Sequence, residues 1–203
     1  MENYICINSQ KINLTEEQAR KIMEASGVQG FQLSDANVGS VIKIGGHGMI
    51  VLEHFADGTT ALLRKNALKK MAFGKDNNYN GSNADQLCNE FAEALASVVG
   101  EENIILHEVD LTADDGLKGL GKIQRKASLR TASMQRKYVE ILDKHRLDIY
   151  EWLATAFSIP PHDADNWVKC VSPSGCIRSG SCDSGDIGVR PFCILKSNIF
   201  VSK

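Results

Sequence analysis

The last fifty residues constrain this chain most. They hold two apolar segments, Glu151-Trp-Leu-Ala-Thr-Ala-Phe-Ser158 and Gly188-Val-Arg-Pro-Phe-Cys-Ile-Leu195, separated by a stretch rich in Gly, Ser, Asp, Asn and Cys. A segment of that composition buries too little apolar surface to fold by itself. The expectation is a surface displayed over residues 159–187, carried on a core that the two apolar segments complete. That layout suits binding more than catalysis.

At 203 residues, 43% hydrophobic and 24% charged, the chain is long enough for one sizeable domain with a small appendage. No apolar run approaches the ~20 residues of a membrane-spanning helix, so no membrane insertion is expected. The start, Met1-Glu-Asn-Tyr-Ile-Cys-Ile7, lacks the basic residues, apolar stretch and cleavage site of an export signal. The expected compartment is the cytoplasm, or a virion assembled there. Cys6, Cys88, Cys170, Cys176, Cys182 and Cys193 include no Cys-x-x-Cys pair and match no common zinc spacing. Reduced thiols are expected, with no metal and no cofactor.

The net charge of −2 is unevenly spread. Residues 118–146 hold nine Lys or Arg against Glu140 and Asp143, so this stretch carries +7 and the rest of the chain −9. Lys122, Arg125, Lys126, Arg130, Arg136 and Lys137 are the candidate contacts for an anionic partner, nucleic acid or an acidic protein. The alternative is a solvated face that pairs with acidic neighbours. Only Tyr138 offers base stacking there, which ranks nucleic acid behind a protein partner.

Along the chain, residues 4–8 suit a short edge strand. Thr15-Glu-Glu-Gln18 is a capping box opening a helix with Ala19, Ile22 and Met23, which stops near Gly27. Ser26 to Ser40 reads as a polar linker. Residues 1–37 thus form an appendage too small to fold alone; it packs on the main domain, residues 38–203, or mediates homo-oligomer contact. Val41-Ile-Lys-Ile44, a Gly45-Gly-His-Gly48 turn and Met49-Ile-Val-Leu52 predict a hairpin, and Thr60-Ala-Leu-Leu-Arg64 a third strand after Asp57-Gly58. Asp76-Asn-Asn-Tyr-Asn-Gly-Ser82 is a polar turn. Ser82 caps a helix with Leu87, Phe91, Leu95 and Val98 on its apolar face, ended by Gly100. Residues 104–109 are strand-like; Met134, Tyr138, Ile141 and Leu142 mark a second helix, capped by Thr131. Strand runs interrupted by separate helices indicate an α+β fold.

Enzyme and ion-binding motifs fare poorly. Gly45-Gly-His-Gly48 precedes a strand and lacks a following Lys-Ser/Thr pair, so it is no phosphate loop. In Asp110-Leu-Thr-Ala-Asp-Asp-Gly116 the positions that an EF-hand fills with Gly and Glu hold Asp115 and Gly121. The histidines form no i,i+4 pair and no Gly-x-Ser-x-Gly occurs. A Ser/Cys–His dyad assembled in space stays open. Trp152, flanked by Leu153 and Ala154, reads as core. Trp167, amid Asp163, Asp165, Asn166 and Lys169, is a candidate for the surface.

Trp152-Leu-Ala-Thr155, Val168-Lys-Cys-Val171, the Ser174-Gly175 turn and the closing Gly188-Val-Arg-Pro191 resemble motifs of a bacterial and phage domain family without an established activity. Ile44 to Leu52, Gly100-Glu-Glu-Asn103, Leu111-Thr-Ala-Asp-Asp-Gly116 and Lys126-Ala-Ser-Leu129 extend the resemblance over residues 38–203. It implies a C-type-lectin-like, formylglycine-generating-enzyme-like fold with short strands, two main helices and a loop-rich C-terminal region. In such folds the segment before the closing strand carries the ligand contacts. Here these are His162, Asp163, Asp165, Asn166, Trp167, Lys169, Arg178, Ser181, Asp183 and Asp186. Arg190, between Val189 and Pro191, is expected to be buried and hydrogen-bonded. The lectin calcium tripeptides Glu-Pro-Asn and Gln-Pro-Asp are missing, and Cys170, Cys176, Cys182 and Cys193 do not match the paired-cysteine site of formylglycine formation. Glu151 and Ala156 replace an aromatic and a proline, at the expense of one local packing contact.

The expectation is a non-enzymatic, phage- or prophage-associated protein that recognises a protein or surface ligand through residues 162–186. Two alternatives stay open: an intracellular inhibitor or regulator using the basic segment, and a metal- or thiol-dependent oxidase inferred from fold alone.

Overall fold

The computed structural model describes residues 3–7, 10–15, 17–18, 21, 30–162 and 165–202. Strands β1 (Asn3–Ile7) and β2 (Gln10–Leu14) pair as a separate antiparallel ribbon. The capping box is formed: the Thr15 N–H donates to Gln18 Oε1 at 2.8 Å, and the Gln18 N–H to Thr15 Oγ1 at 3.2 Å. Ala19, Ile22, Met23 and the expected stop near Gly27 lie outside the described residues.

Next come β3 (Gly30–Gln32), β4 (Val41–Ile44), β5 (His47–His54), β6 (Thr59–Arg64) and the short β7 (Lys69–Lys70). Gly45 and Gly46 turn β4 into β5 at φ 55° and 81°, the positive values that a two-residue hairpin turn demands. Helix α1 (Asn83–Val99) starts at Ser82, whose Oγ accepts the Asp85 N–H at 3.1 Å, and ends at Gly100 with φ 86°. Strands β8 (Ile104–Ile105), β9 (His107–Asp110), β10 (Lys122–Arg125) and β11 (Ala127–Leu129) lead to helices α2 (Ala132–Lys137) and α3 (Val139–Leu142). Thr131 caps α2 by accepting the Met134 N–H at 3.2 Å. The chain closes with β12 (Glu151–Ala156), β13 (Trp167–Val171), β14 (Ile177–Ser181), β15 (Gly188–Val189), β16 (Pro191–Lys196) and β17 (Phe200–Ser202).

The protein is α+β, mostly strands with few short helices. An eight-stranded antiparallel sheet runs β11-β16-β6-β5-β4-β17-β3, with β8 beside β16. Side chains alternate across it with the strand period of two. Met49, Val51, Leu62, Cys193 and Leu195 face Phe91, Ala92 and Leu95 of α1. Ile50, Leu52, Ala61, Leu63 and Phe192 face Tyr138 and Leu142 on the opposite side. Both faces are therefore covered. A second sheet runs β14-β13-β12-β15-β7, and Trp152, Phe73, Tyr79, Cys88 and Val168 fill the space on its inner side.

Three expectations shift. Residues 30–36 belong to the main sheet and core, not to a linker: β3 pairs with β17, and Leu33 is fully buried. Glycine and polar neighbours mask those few apolar residues in sequence. Val98 is half exposed, because Ala84, Cys88, Ala92 and Leu95 set the buried face of α1. The run 104–109 breaks at Leu106, which faces solvent between β8 and β9.

One buried cluster ties the two sheets together. Arg130 follows β11, Glu151 opens β12, and Arg190 stands where the chain crosses from β15 in the second sheet to β16 in the main one. Arg130 Nη2 donates to Glu151 Oε2 at 2.9 Å and Arg190 Nη1 to the same oxygen at 3.1 Å. Arg190 also donates to the carbonyls of Arg64, Lys65 and His145. As expected, Arg190 is buried and hydrogen-bonded. Glu151 is not a weakened packing position; it is the carboxylate between two guanidinium groups.

His107 predicts an acid sensitivity. Its Nε2 lies 2.9 Å from Ser128 Oγ, its ring meets Phe192 edge-on, and burial lowers its pKa from 6.5 to about 4. Between those values the unfolded chain holds more protons than the folded one, so stability falls as pH drops through that window. The loss is about 3 kcal/mol by pH 4. Urea unfolding at several pH values should show it, and His107→Gln should flatten the slope between pH 4 and 6.5.

Candidate functional site

The free end of the second sheet is built by strand alternation. Val168 and Cys170 of β13 point into the core, so Trp167, Lys169 and Val171 point outward. The outward Val171 packs with Leu153, Ile177 and Ala132, and Thr155 Oγ1 accepts the Ala132 N–H at 3.0 Å. The start of α2 thus covers that half of the outer face. The other half is open. There Phe157 and Trp167 are cross-strand neighbours, joined by the Phe157 N–H to the Trp167 carbonyl at 2.9 Å, and are 40% and 42% exposed.

A charged chain supports this aromatic pair. Lys169 Nζ lies 5.3 Å from the Phe157 ring centre and 3.2 Å from Asp114 Oδ2. Asp114 Oδ1 accepts from Arg136 at 2.8 Å. Burial pushes the Asp114 carboxyl up, but hydrogen bonds from Arg136 and Lys169 outweigh it and hold its pKa below the usual value. Beside it, Asp115 accepts from Ser158 Oγ at 2.6 Å, and His162 Nδ1 lies 3.3 Å away. The loop 76–80 braces the same end: Asn77 N–H donates to the Asp165 carbonyl, and Asn77 Nδ2 to the Ser158 carbonyl, both at 2.7 Å. A groove of 540 Å³ adjoins, lined by Glu108, Asp110, Asp114, Lys118, Ser133 and Thr155.

The expected contacts are partly assembled there. His162, Asp165, Asn166 and Trp167 are exposed at this end, Ser181 is half-buried opposite Trp167, and Asp183 and Asp186 are exposed on the following loop. Asp163 lies outside the described residues. Lys169 is corrected: it is 8% exposed and paired, so it supports the surface from beneath. Arg178 is exposed but lies opposite Cys170, on the other side of the hairpin from Lys169. The segment is not a free ribbon, because β13 and β14 are strands of the second sheet. Phe157, expected only as part of an apolar segment, and Asp114 and Asp115, weighed only as part of an ion-binding loop, join this surface as well. The alternation Leu153, Thr155, Phe157 is the signal that places Phe157 on the outer face.

The six candidate contacts of the basic segment are all paired within the protein. Lys122 meets Glu108 at 2.7 Å, Arg125 meets Asp85 at 2.7 Å, Lys126 meets Glu101, Arg136 meets Asp114 at 2.8 Å and Lys137 meets Glu53 at 2.6 Å. Arg130 is corrected outright: it is 1% exposed and belongs to the buried cluster, out of reach of any partner. The arrangement matches the solvated-face alternative.

The groups that resemble enzyme parts are enclosed. His107 and Ser128 form a Ser–His contact, yet both are buried. His54 bridges Thr60 Oγ1 and the Ala36 carbonyl. Burial pushes the Cys88 and Cys193 thiols up to about 12 and Cys170 up to about 11, which keeps them protonated and poorly nucleophilic. Among the described residues, no group of three or more His, Cys, Asp or Glu is placed to hold a metal. No described helix is long and apolar enough to cross a membrane. In comparisons with known proteins, no family model, no curated protein and no solved structure matches this chain.

Proposed function

We propose that this is a non-enzymatic binding protein with a C-type-lectin-like form of the α+β fold, phage- or prophage-associated, that recognises a protein ligand through the open end of its second sheet. The observation that carries the reading is the Phe157–Trp167 pair. Two aromatic side chains held by strand register, half exposed on a sheet face whose other half is covered, are ready to lose water to a partner. Aromatic anchors of this kind dominate contact energies. The β1–β2 ribbon, which pairs with no other described strand, is the candidate element for homo-oligomer contact.

Capture from host extract on the immobilised protein tests it. The double substitution Phe157→Ser and Trp167→Ser should weaken capture of the bound protein by about thirtyfold, the scale of two contact anchors. The melting temperature should stay close to that of the parent, since both side chains are exposed. Undiminished capture removes the reading. Nucleic-acid recognition by residues 118–146 is disfavoured by the internal pairing of its six candidate contacts, and salt-dependent retention of DNA or RNA would revive it.

A further inference from the structure

We propose that the partner presents a basic segment, and that one of its Lys or Arg side chains seats against the Trp167 face between Asp165 and Asp183. This rests on the binding reading above and gives the partner its chemistry.

The first support is the exposed aromatic surface itself. An indole face half open to solvent attracts a cation through its ring quadrupole, Arg best of all because its plane stacks. The second is the charge around that face. Of the cations near this end, Lys169 is engaged by Asp114, and Lys75, 93% exposed, reaches only Asp76, at 3.9 Å. Asp165, Asp183 and Asp186 are exposed and make no ion pair among the described residues.

Register places the first two at the same end of the β13–β14 hairpin as the indole. Asp165 is two residues before Trp167, and Asp183 two residues after its cross-strand partner Ser181. The Cys182 N–H donates to the Asn166 carbonyl at 2.8 Å, which clamps the two loops together. On the inner side of the same loops the Cys182 thiol is pushed up by burial and then by the charges of Asp183, Asp76 and Asp165, so these carboxylates gather at this end of the sheet. Exposed carboxylates without ion-pair partners at the same end as a cation-attracting ring are complementary to a basic chain and repel an acidic one.

Titration of the full chain with a short Arg-Gly repeat peptide tests this by tryptophan emission. Trp152 is fully buried, so the change reports Trp167. Saturable binding is expected, weakening with added salt, and a Glu-Gly repeat of equal length should not bind. Asp165→Asn with Asp183→Asn should weaken the Arg-Gly peptide about tenfold. Trp167→Ala, followed by calorimetry, should do likewise. Absent binding, equal binding of the acidic peptide or of a neutral oligosaccharide, or unchanged affinity in the Asp→Asn variant would each overturn the inference. Failure here is separable from failure of the binding reading. If the aromatic double variant loses its partner while the Asp→Asn variant keeps it, the binding reading stands and the basic partner falls.

Discussion

Glu151→Gln is expected to lower the unfolding free energy by about 3–5 kcal/mol, because it leaves two buried guanidinium groups without their shared counter-charge. Arg130 and Arg190 are each 1% exposed, and Arg130 Nη1 already lacks a hydrogen-bond partner among the described residues. Neither cation can turn to water without opening the seam between the sheets. Urea unfolding should show a lower midpoint at unchanged slope. Replacing all three together, Arg130→Met, Glu151→Leu and Arg190→Met, removes the stranded charges and should restore part of the loss; the remainder reflects the Arg64, Lys65 and His145 carbonyls, which lose their donor. A single Glu151→Gln within 1 kcal/mol of the parent would mean that the cluster does not hold the sheets together. The same pair of arginines sets an acid limit. Burial pushes the Glu151 carboxyl up, but the charges of Arg130 and Arg190 win and hold its pKa below 4.5. Its contribution is therefore complete above the usual carboxylate range and disappears as pH falls through the depressed value.

Trp152→Ala carries the second large cost, about 3–5 kcal/mol for an aromatic deleted from a closed core. The indole is fully buried, meets Phe73 edge-on at 5.5 Å and donates from Nε1 to the Met71 carbonyl at 2.9 Å. A Cβ at Gly180 would come within 3.2 Å of the ring, so β14 approaches it as closely as a glycine permits. Truncation leaves a cavity that neither β13 nor β14 can fill without breaking register. Trp152→Phe should recover part of the loss. Denaturant unfolding followed by far-ultraviolet circular dichroism measures both. In Trp152→Ala, Trp167 is the remaining tryptophan, and native emission should shift to the red because the surviving ring is solvated. A native spectrum that stays blue would place Trp167 under cover and remove the exposed aromatic pair.

Local signals in the sequence were legible and long-range partners were not. Thr15, Ser82 and Thr131 each announce a helix start through a side-chain oxygen three residues from the N–H it accepts. Gly45 and Gly46 announce a tight hairpin for an equally local reason. The basic residues of the 118–146 segment look available because their carboxylates, among them Glu53 and Asp85, lie tens of residues away in sequence and arrive only through folding. Glu151 was opaque for the same reason, since nothing near it in sequence predicts two arginines. Trp167 was readable from its polar neighbours, whereas Lys169 was not, because the side chain that claims it, Asp114, sits on a distant loop. The open end of the second sheet was half visible: its polar rim shows in composition, but Phe157 hides within an apolar run.

Strand β16 lies between β6 and β11, with Cys193 opposite Leu62 on one side and Ala127 on the other. During synthesis the β4–β6 meander therefore leaves the ribosome with a sticky flank, and more than a hundred further residues must be added before the strand that zips it shut exists. Loop closure on that scale is slow and exposes unpaired edges meanwhile. Assembly of this fold is accordingly back-loaded: the meander keeps an open flank until a late-arriving keystone pairs with it.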